Sequence, residues 1–196
     1  MKKTVISALL AAQLMTQLQA GGDIEPVVET EAVEIEEEAP FYIVVKGLMT
    51  FGDSVNHGDS VLDGDMDYGY GIDLGYRLGH GFALEYDFSY SSNRVKETKI
   101  TGEVEDVTAR YYTSSLDLVY VYELTEELGV FGKVGYEYEW EKITALDIDS
   151  TDHGLIVGVG IEVEMDENFK FVTEYEHSTI DGPRGDSLFA GVMYSF

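Results

Sequence analysis

The main chemistry this sequence offers is a set of carboxylates placed with a few cationic side chains. Read at alternate positions, Lys46, Arg77, Lys133 and Lys170 share a side of their segments with Asp73, Glu85, Asp87, Asp117, Glu137, Glu139, Glu162, Glu164, Glu174 and Glu176. Charges withdrawn from bulk water must be paired or wetted. Such a set therefore makes either a network of ion pairs and waters or, given its surplus of acids, a weakly cation-selective path. Asp63, Asp65 and Asp67 also alternate, but a helix-loop-helix calcium site needs Gly at its sixth position and Glu at its twelfth. This chain has Tyr68 and Leu74 there, so a solvated acidic loop is expected and no metal site. Arg94, Lys96, Lys99 and Arg110 surround another polar stretch, where they could meet phosphates. His177-Ser178-Thr179 sets a general base beside two hydroxyls. A working nucleophile needs that base within hydrogen-bond reach and a third group to orient it. His57, His80 and His153 fall in turns or loops without metal-ligand spacing, and no cofactor is expected.

The elements that must carry these residues are strands. From Phe41 onward, side chains alternate with period two in segments of about ten residues, the length a tilted membrane strand requires. Eight such segments cover 41–51, 67–78, 82–91, 109–122, 128–140, 153–165, 169–179 and 187–196. The connections alternate in length. They are tight at Gly79-His80-Gly81, around Thr125-Glu126-Glu127 and at Asp166-Glu167-Asn168, and long and polar over 52–66, 92–108, 141–152 and 180–186. Short turns at one end and long loops at the other mark a transmembrane barrel, with the short turns and both termini in the periplasm and the long loops outside. No stretch after the N-terminus is long and apolar enough for a spanning helix, so a membrane protein here would be a closed barrel.

Sorting each segment by parity separates two faces. Tyr68, Tyr70, Ile72, Leu74, Tyr76 and Leu78 oppose Gly69, Gly71, Asp73, Gly75 and Arg77, and Phe82, Leu84, Tyr86, Phe88 and Tyr90 oppose Ala83, Glu85, Asp87 and Ser89. Alternation alone does not say whether the apolar face points inward, as in a soluble barrel, or outward to lipid. The aromatic residues decide, because Tyr and Trp favour the two membrane interfaces. Tyr68, Tyr70, Tyr90, Tyr112, Tyr138 and Trp140 gather near the long-loop ends, and Tyr76, Phe82, Tyr122, Phe169, Phe171, Tyr194 and Phe196 near the short-turn ends. Aliphatic residues fill much of the space between. The expected fold is therefore all-β, an eight-stranded antiparallel up-and-down transmembrane β-barrel.

Composition bounds the partners. With 12 basic and 38 acidic residues the net charge is −26, which repels nucleic acid. Fourteen Tyr and 21 Gly fit a β-rich chain, and the absence of Cys excludes disulfide staples and a lipid anchor on cysteine. Residues 1–20 read as a secretory signal, with Lys2 and Lys3, an apolar stretch from Val5 to Met15, and Ala20 at its end. Residues 21–40 carry eight acids and no base, which predicts a disordered periplasmic linker. A cation- or partner-binding tail, or a strand around Val33 and Ile35, stays open for this segment. Residues 41–196 make the barrel.

The segment 41–196 resembles the small outer-membrane β-barrel family that includes the OmpA-type transmembrane domain, without the peptidoglycan-binding domain that follows the barrel in full-length members. The resemblance rests on the architecture and on the last strand, where Leu188, Val192, Tyr194 and the final Phe196 alternate. It implies that these four residues form the signal read by the barrel-assembly machinery, and that the protein is a monomer of the Gram-negative outer membrane. Lipid and lipopolysaccharide would surround it there. A fainter likeness to lipid A deacylase barrels lies in His177 and Thr179, which share parity with Phe169, Phe171 and Tyr175. Ser178 faces the other way and the last segment offers no acid beyond Asp186, so no enzyme is expected. The expected role is structural or surface-interacting. A small cation-preferring channel is the alternative, and a deacylase-like enzyme comes third.

Overall fold

The computed structural model describes residues 40–196, so the expected signal segment and, but for Pro40, the acidic linker lie outside the described residues. Ten strands follow in order: β1 (Phe41–Thr50), β2 (Ser54–His57), β3 (Ser60–Gly64), β4 (Asp67–Gly79), β5 (Phe82–Lys99), β6 (Val104–Glu123), β7 (Leu128–Ile143), β8 (Ile148–Asp166), β9 (Phe169–Ser178) and β10 (Ser187–Ser195). Hydrogen-bonded neighbours run β5-β4-β1-β10-β9-β8-β7-β6, and β6 pairs in turn with β5. Eight strands thus close into a ring with no free edge, which is how a sheet satisfies its backbone in lipid. Closure is complete because β1 holds β4 on one side and β10 on the other, each antiparallel. At one end, Gly79, His80 and Gly81 all take positive φ (85°, 60° and 80°), and this left-handed run turns β4 tightly into β5.

Outward residues of the central wall are apolar and exposed, among them Val45, Ile72, Leu74, Leu116, Leu118, Val134, Val157, Val159 and Val192. Ring pairs flank this band. Tyr90 packs 5.0 Å from Tyr112 and Tyr138 4.6 Å from Trp140 toward the long-loop end. Phe41 lies 4.9 Å from Tyr76, Phe82 4.8 Å from Tyr120 and Phe169 5.0 Å from Tyr194 toward the end with short turns. Exposed rings at two levels with aliphatic side chains between them match a wall crossing a bilayer.

Two stretches expected as long loops are strand instead. β5 continues to Lys99 and β6 begins at Val104, paired in register from Phe82↔Tyr120 up to Thr98↔Val104. β7 and β8 likewise extend to Ile143 and from Ile148, joined by a 3-10 turn at Thr144–Leu146. The first long loop folds as the β2–β3 hairpin, with β3 laid along the upper part of β5. The physical reason is an exchange of faces. In the central wall apolar residues point out and polar ones in. In the extension Val95, Val107, Ala109, Tyr111 and Ile143 point inward and are buried, packed with Leu62 of β3, while Arg94, Lys96 and Arg110 point out. Outside hydrocarbon the ordinary hydrophobic drive returns and the strand pattern inverts.

The lumen is narrow and its glycines make room. A Cβ on Gly75 would meet the Tyr42 ring at 2.0 Å, on Gly135 the Asp117 carboxylate at 1.8 Å, and on Gly158 the Glu174 carboxylate at 2.4 Å. These inward glycines are the counterpart of large side chains reaching across from other strands. At the end with short turns, Tyr42, Val44, Ala83, Val119, Val172 and Met193 form a buried apolar cluster inside the ring, supported by Val121 and Phe131.

Candidate functional site

Between the two apolar clusters the lumen holds charge. Parity along each strand sends Lys46 of β1, Asp73 of β4, Glu85 and Asp87 of β5, Asp117 of β6, Lys133 and Glu137 of β7, and Glu174 and Glu176 of β9 to the interior, where each is buried. Lys133 is the hub. Its Nζ stands 2.7 Å from Glu174 and 3.0 Å from Glu176, with Asp117 at 3.8 Å and Asp87 at 3.9 Å, and the side chain has no solvent exposure. Lys46 lies 2.8 Å from Asp73 and pairs closely with Asp87, its ammonium 4.1 Å from the Phe189 ring centroid. Glu85 accepts a 2.6 Å hydrogen bond from Tyr42. Asp117 accepts from Ser115 at 2.9 Å. Two ammonium groups therefore serve five carboxylates, Asp73, Asp87, Asp117, Glu174 and Glu176, with Glu85 held by Tyr42, a surplus of acids in a buried interior.

The remaining residues expected on the lumen face divide between the two mouths. Near the end with short turns, Lys170 bonds Glu162 at 2.8 Å. Arg77 donates to Ser195 at 3.1 Å and covers the Tyr42 ring. Glu164 is exposed there beside a small polar cavity of about 30 Å³ that Glu123, Glu126, Glu127 and Lys170 also line. Toward the long-loop end, Glu137 and Glu139 meet a partner that the sequence pattern did not reveal. Arg184, in the loop between β9 and β10, donates to Glu137 at 2.6 Å and lies 2.6 Å from Glu139. Ser178 also donates to Glu137, at 2.9 Å. Burial works against the Arg184 charge, but Glu137 and Glu139 outweigh it and hold the guanidinium above its ordinary range. Gly52 and Asp53 donate their backbone N–H groups to the carbonyls of Arg184 and Pro183, which ties this loop to the end of β1. The only advance sign was a lone base, in the run Gly182-Pro183-Arg184-Gly185, in an otherwise acidic loop.

His177 sits on the outer face. Its Nδ1 is 2.7 Å from Asp186, and Asp186 also takes a short hydrogen bond from Tyr175. A base with its orienting acid is therefore present, but neither neighbouring hydroxyl is directed to it. Thr179 accepts from the Leu155 N–H at 2.8 Å and Ser178 points into the lumen toward Glu137. Asp63 lies on β3 opposite Lys96, Asp65 follows β3, and Asp67 opens β4, where it faces Arg94 at 3.8 Å. Among the described residues no group of three or more His, Cys, Asp or Glu has metal-binding geometry. Leu188, Val192, Tyr194 and Phe196 all point outward from the last strand.

Comparison places this architecture among known proteins. The outer membrane protein from Pseudomonas aeruginosa called OprG superposes with a TM-score of 0.63 at 14% identity, over 81% of this chain and 97% of that one. Neisserial surface protein A gives 0.58 at 16%, over 82% and 100%. Ail of Yersinia pestis, solved in a phospholipid bilayer nanodisc, gives 0.53 at 17%, over 81% and 100%. At such identities the likeness is one of fold. Among curated proteins, none is similar enough in sequence to match. The family model for the outer membrane protein beta-barrel domain matches residues 8–196. The chain therefore belongs to the outer membrane protein β-barrel domain family, and its place is the outer membrane.

Proposed function

We propose that the protein is a non-conducting, non-enzymatic outer-membrane barrel with a structural and surface-interacting role, its long-loop end outside the cell and both termini in the periplasm. The observation that carries this reading is the closed interior. A water path would have to pass the Arg184–Glu137–Glu139 cluster, the unexposed Lys133 hub and then the Tyr42–Val44–Met193 cluster, and each of these is buried. The placement is supported by the alternation of short turns with longer hairpins. Leu188, Val192, Tyr194 and Phe196 serve as the assembly signal in this reading, and the surrounding lipid, including lipopolysaccharide, is the main partner of a monomer. Ser178 and Thr179, bonded away from His177, argue against hydrolysis.

The surplus of lumen carboxylates favours the competing view of a small cation path, and planar-bilayer recording separates the two. The refolded barrel, its fold verified by a heat-dependent gel shift, should give no reproducible steps. Cation-preferring steps that fall when Glu137 and Glu174 are neutralised would overturn the proposal and make the lumen a conduit.

A further inference from the structure

The bases of this acidic chain are not spread over its surface. Of the 12, Lys2 and Lys3 begin the sequence, and Lys46, Arg77, Lys133, Lys170 and Arg184 face the lumen or its mouths. The remaining five all stand on the extension of β5, β6 and β7. Four of them, Arg94, Lys96, Arg110 and Lys142, point outward there, and Lys99 closes the β5–β6 tip.

Their register sharpens the point. Arg110 of β6 lies directly opposite Lys142 of β7 and opposite the neutral Ser92 of β5. Like charges facing each other across a strand pair destabilise it unless something anionic lies between. Arg94 is two pairs further along, opposite Thr108, so three bases form a triangle on one wall. Among the described residues Arg110 has no ion pair. Arg94 and Lys142 meet Asp67 and Asp149 at 3.8 and 3.3 Å, with both bases exposed and Asp67 half-buried, contacts weak enough to exchange. Other acids stand around the same rim: Asp53, Asp59, Asp63 and Asp65 on the first hairpin, and Asp152, Asp181 and Asp186 across the mouth. Acids adjoin two of these bases, Asp67 beside Arg94 and Asp149 directly opposite Lys142, and Asp106 stands opposite Lys96, so Arg110 is the base of the triangle that no carboxylate of this face neutralises.

Its height is set by the row beneath it. Tyr90, Tyr112 and Trp140 pair across the same three strands, and Arg110 and Lys142 lie two residues further along, roughly 7 Å above the aromatic girdle at strand rise. That is head-group depth.

We infer that the outward face of β5–β7 bearing Arg94, Arg110 and Lys142 binds the phosphorylated head group of a lipid in the surrounding leaflet. The proposed placement of the long-loop end outside the cell makes that lipid lipopolysaccharide, so the inference rests on that reading for the lipid's name and on the register for the site.

The test is native mass spectrometry of the purified protein released from phosphatidylcholine nanodiscs doped with lipid A. Wild type should retain lipid A in preference to phosphatidylcholine. The variant Arg110→Ser/Lys142→Ser should retain about 25-fold less lipid A, at about fivefold per base near an anionic surface. Lys99→Ser at the tip should behave as wild type. A heat-dependent gel shift verifies that each variant is folded. Equal retention by wild type and the double variant would overturn the inference. So would inositol hexakisphosphate binding the micellar protein as tightly as lipid A does, since the ligand would then be a soluble polyanion. Retention of phosphatidylglycerol, doped into the same nanodiscs in place of lipid A, with rejection of lipid A would overturn lipopolysaccharide as the ligand.

Discussion

Replacing Lys133 by Met tests whether the lumen is a packed electrostatic core. Its ammonium lies 2.7 Å from Glu174 and 3.0 Å from Glu176, with Asp117 and Asp87 just under 4 Å, and the side chain is fully buried. A pair about 3 Å apart at an effective dielectric of about 20 has a gross attraction of about 5 kcal/mol, most of it offset by the desolvation of both ions. Removing one partner keeps the desolvation and loses the attraction, a cost of about 3 to 5 kcal/mol. A loss of about 4 kcal/mol shifts the unfolding equilibrium roughly a thousandfold. Urea unfolding of the barrel from lipid vesicles, followed by fluorescence of the sole tryptophan, Trp140, measures it. Adding Glu174→Gln and Glu176→Gln to Lys133→Met should recover more than half of the loss, because the stranded charge is then removed. A Lys133→Met barrel within about 0.5 kcal/mol of wild type, the range of an ordinary surface change, would refute the reasoning and mean that water reaches the hub.

Three further outcomes are expected. Gly75→Ala drives a methyl into the Tyr42 ring and should destabilise the barrel by about 1 to 3 kcal/mol in the same unfolding assay, whereas Gly132→Ala, with its nearest neighbour 3.8 Å away, should be close to neutral. Deleting Phe196, exposed at the end of the last strand with its N–H donated to the Phe41 carbonyl, should lower the amount of protease-resistant barrel in the outer membrane. Normal amounts would count against an assembly role. His177→Ala should leave lipid A acylation unchanged by mass spectrometry, since Ser178 and Thr179 are bonded away from His177 and the Tyr175 hydroxyl is taken up by Asp186.

Much of the wall was legible because hydrocarbon imposes a simple rule. Where lipid lies outside, Tyr68 through Leu78 alternate without exception against glycines and charges, and parity alone then places Asp73, Glu85 and Lys133 inside. Three things escaped that rule. In β1 the inward Tyr42, Val44 and Leu48 are as apolar as the outward Val45, so nothing in the pattern announced the apolar floor of the lumen. In the extension Val95 is buried between exposed Arg94 and Lys96, an alternation of opposite phase that reads as polar loop when lipid-facing strands are sought. Arg184 belongs to no strand, so no periodicity could aim it at Glu137. Its partnership depends on how the loop folds back over the mouth, which is tertiary information. The His177–Asp186 pair is of the same kind, joining β9 to the residue that precedes β10.

The exchange of faces along β5 and β6 has a mechanical consequence. Both strands cross from one solvent to the other without a bulge in their pairing, so the crossing point is written in side chains alone. Sliding the barrel two residues deeper would bring Arg110 and Lys142 down to the present level of the aromatic girdle and push Tyr112 and Trp140 into hydrocarbon, and sliding it outward would expose the aliphatic belt to water. Either displacement is opposed by several side chains at once. The molecule therefore has a fixed draught, like a hull with a painted waterline. In a sheet of unmatched thickness it is the lipid that must stretch or thin to meet it.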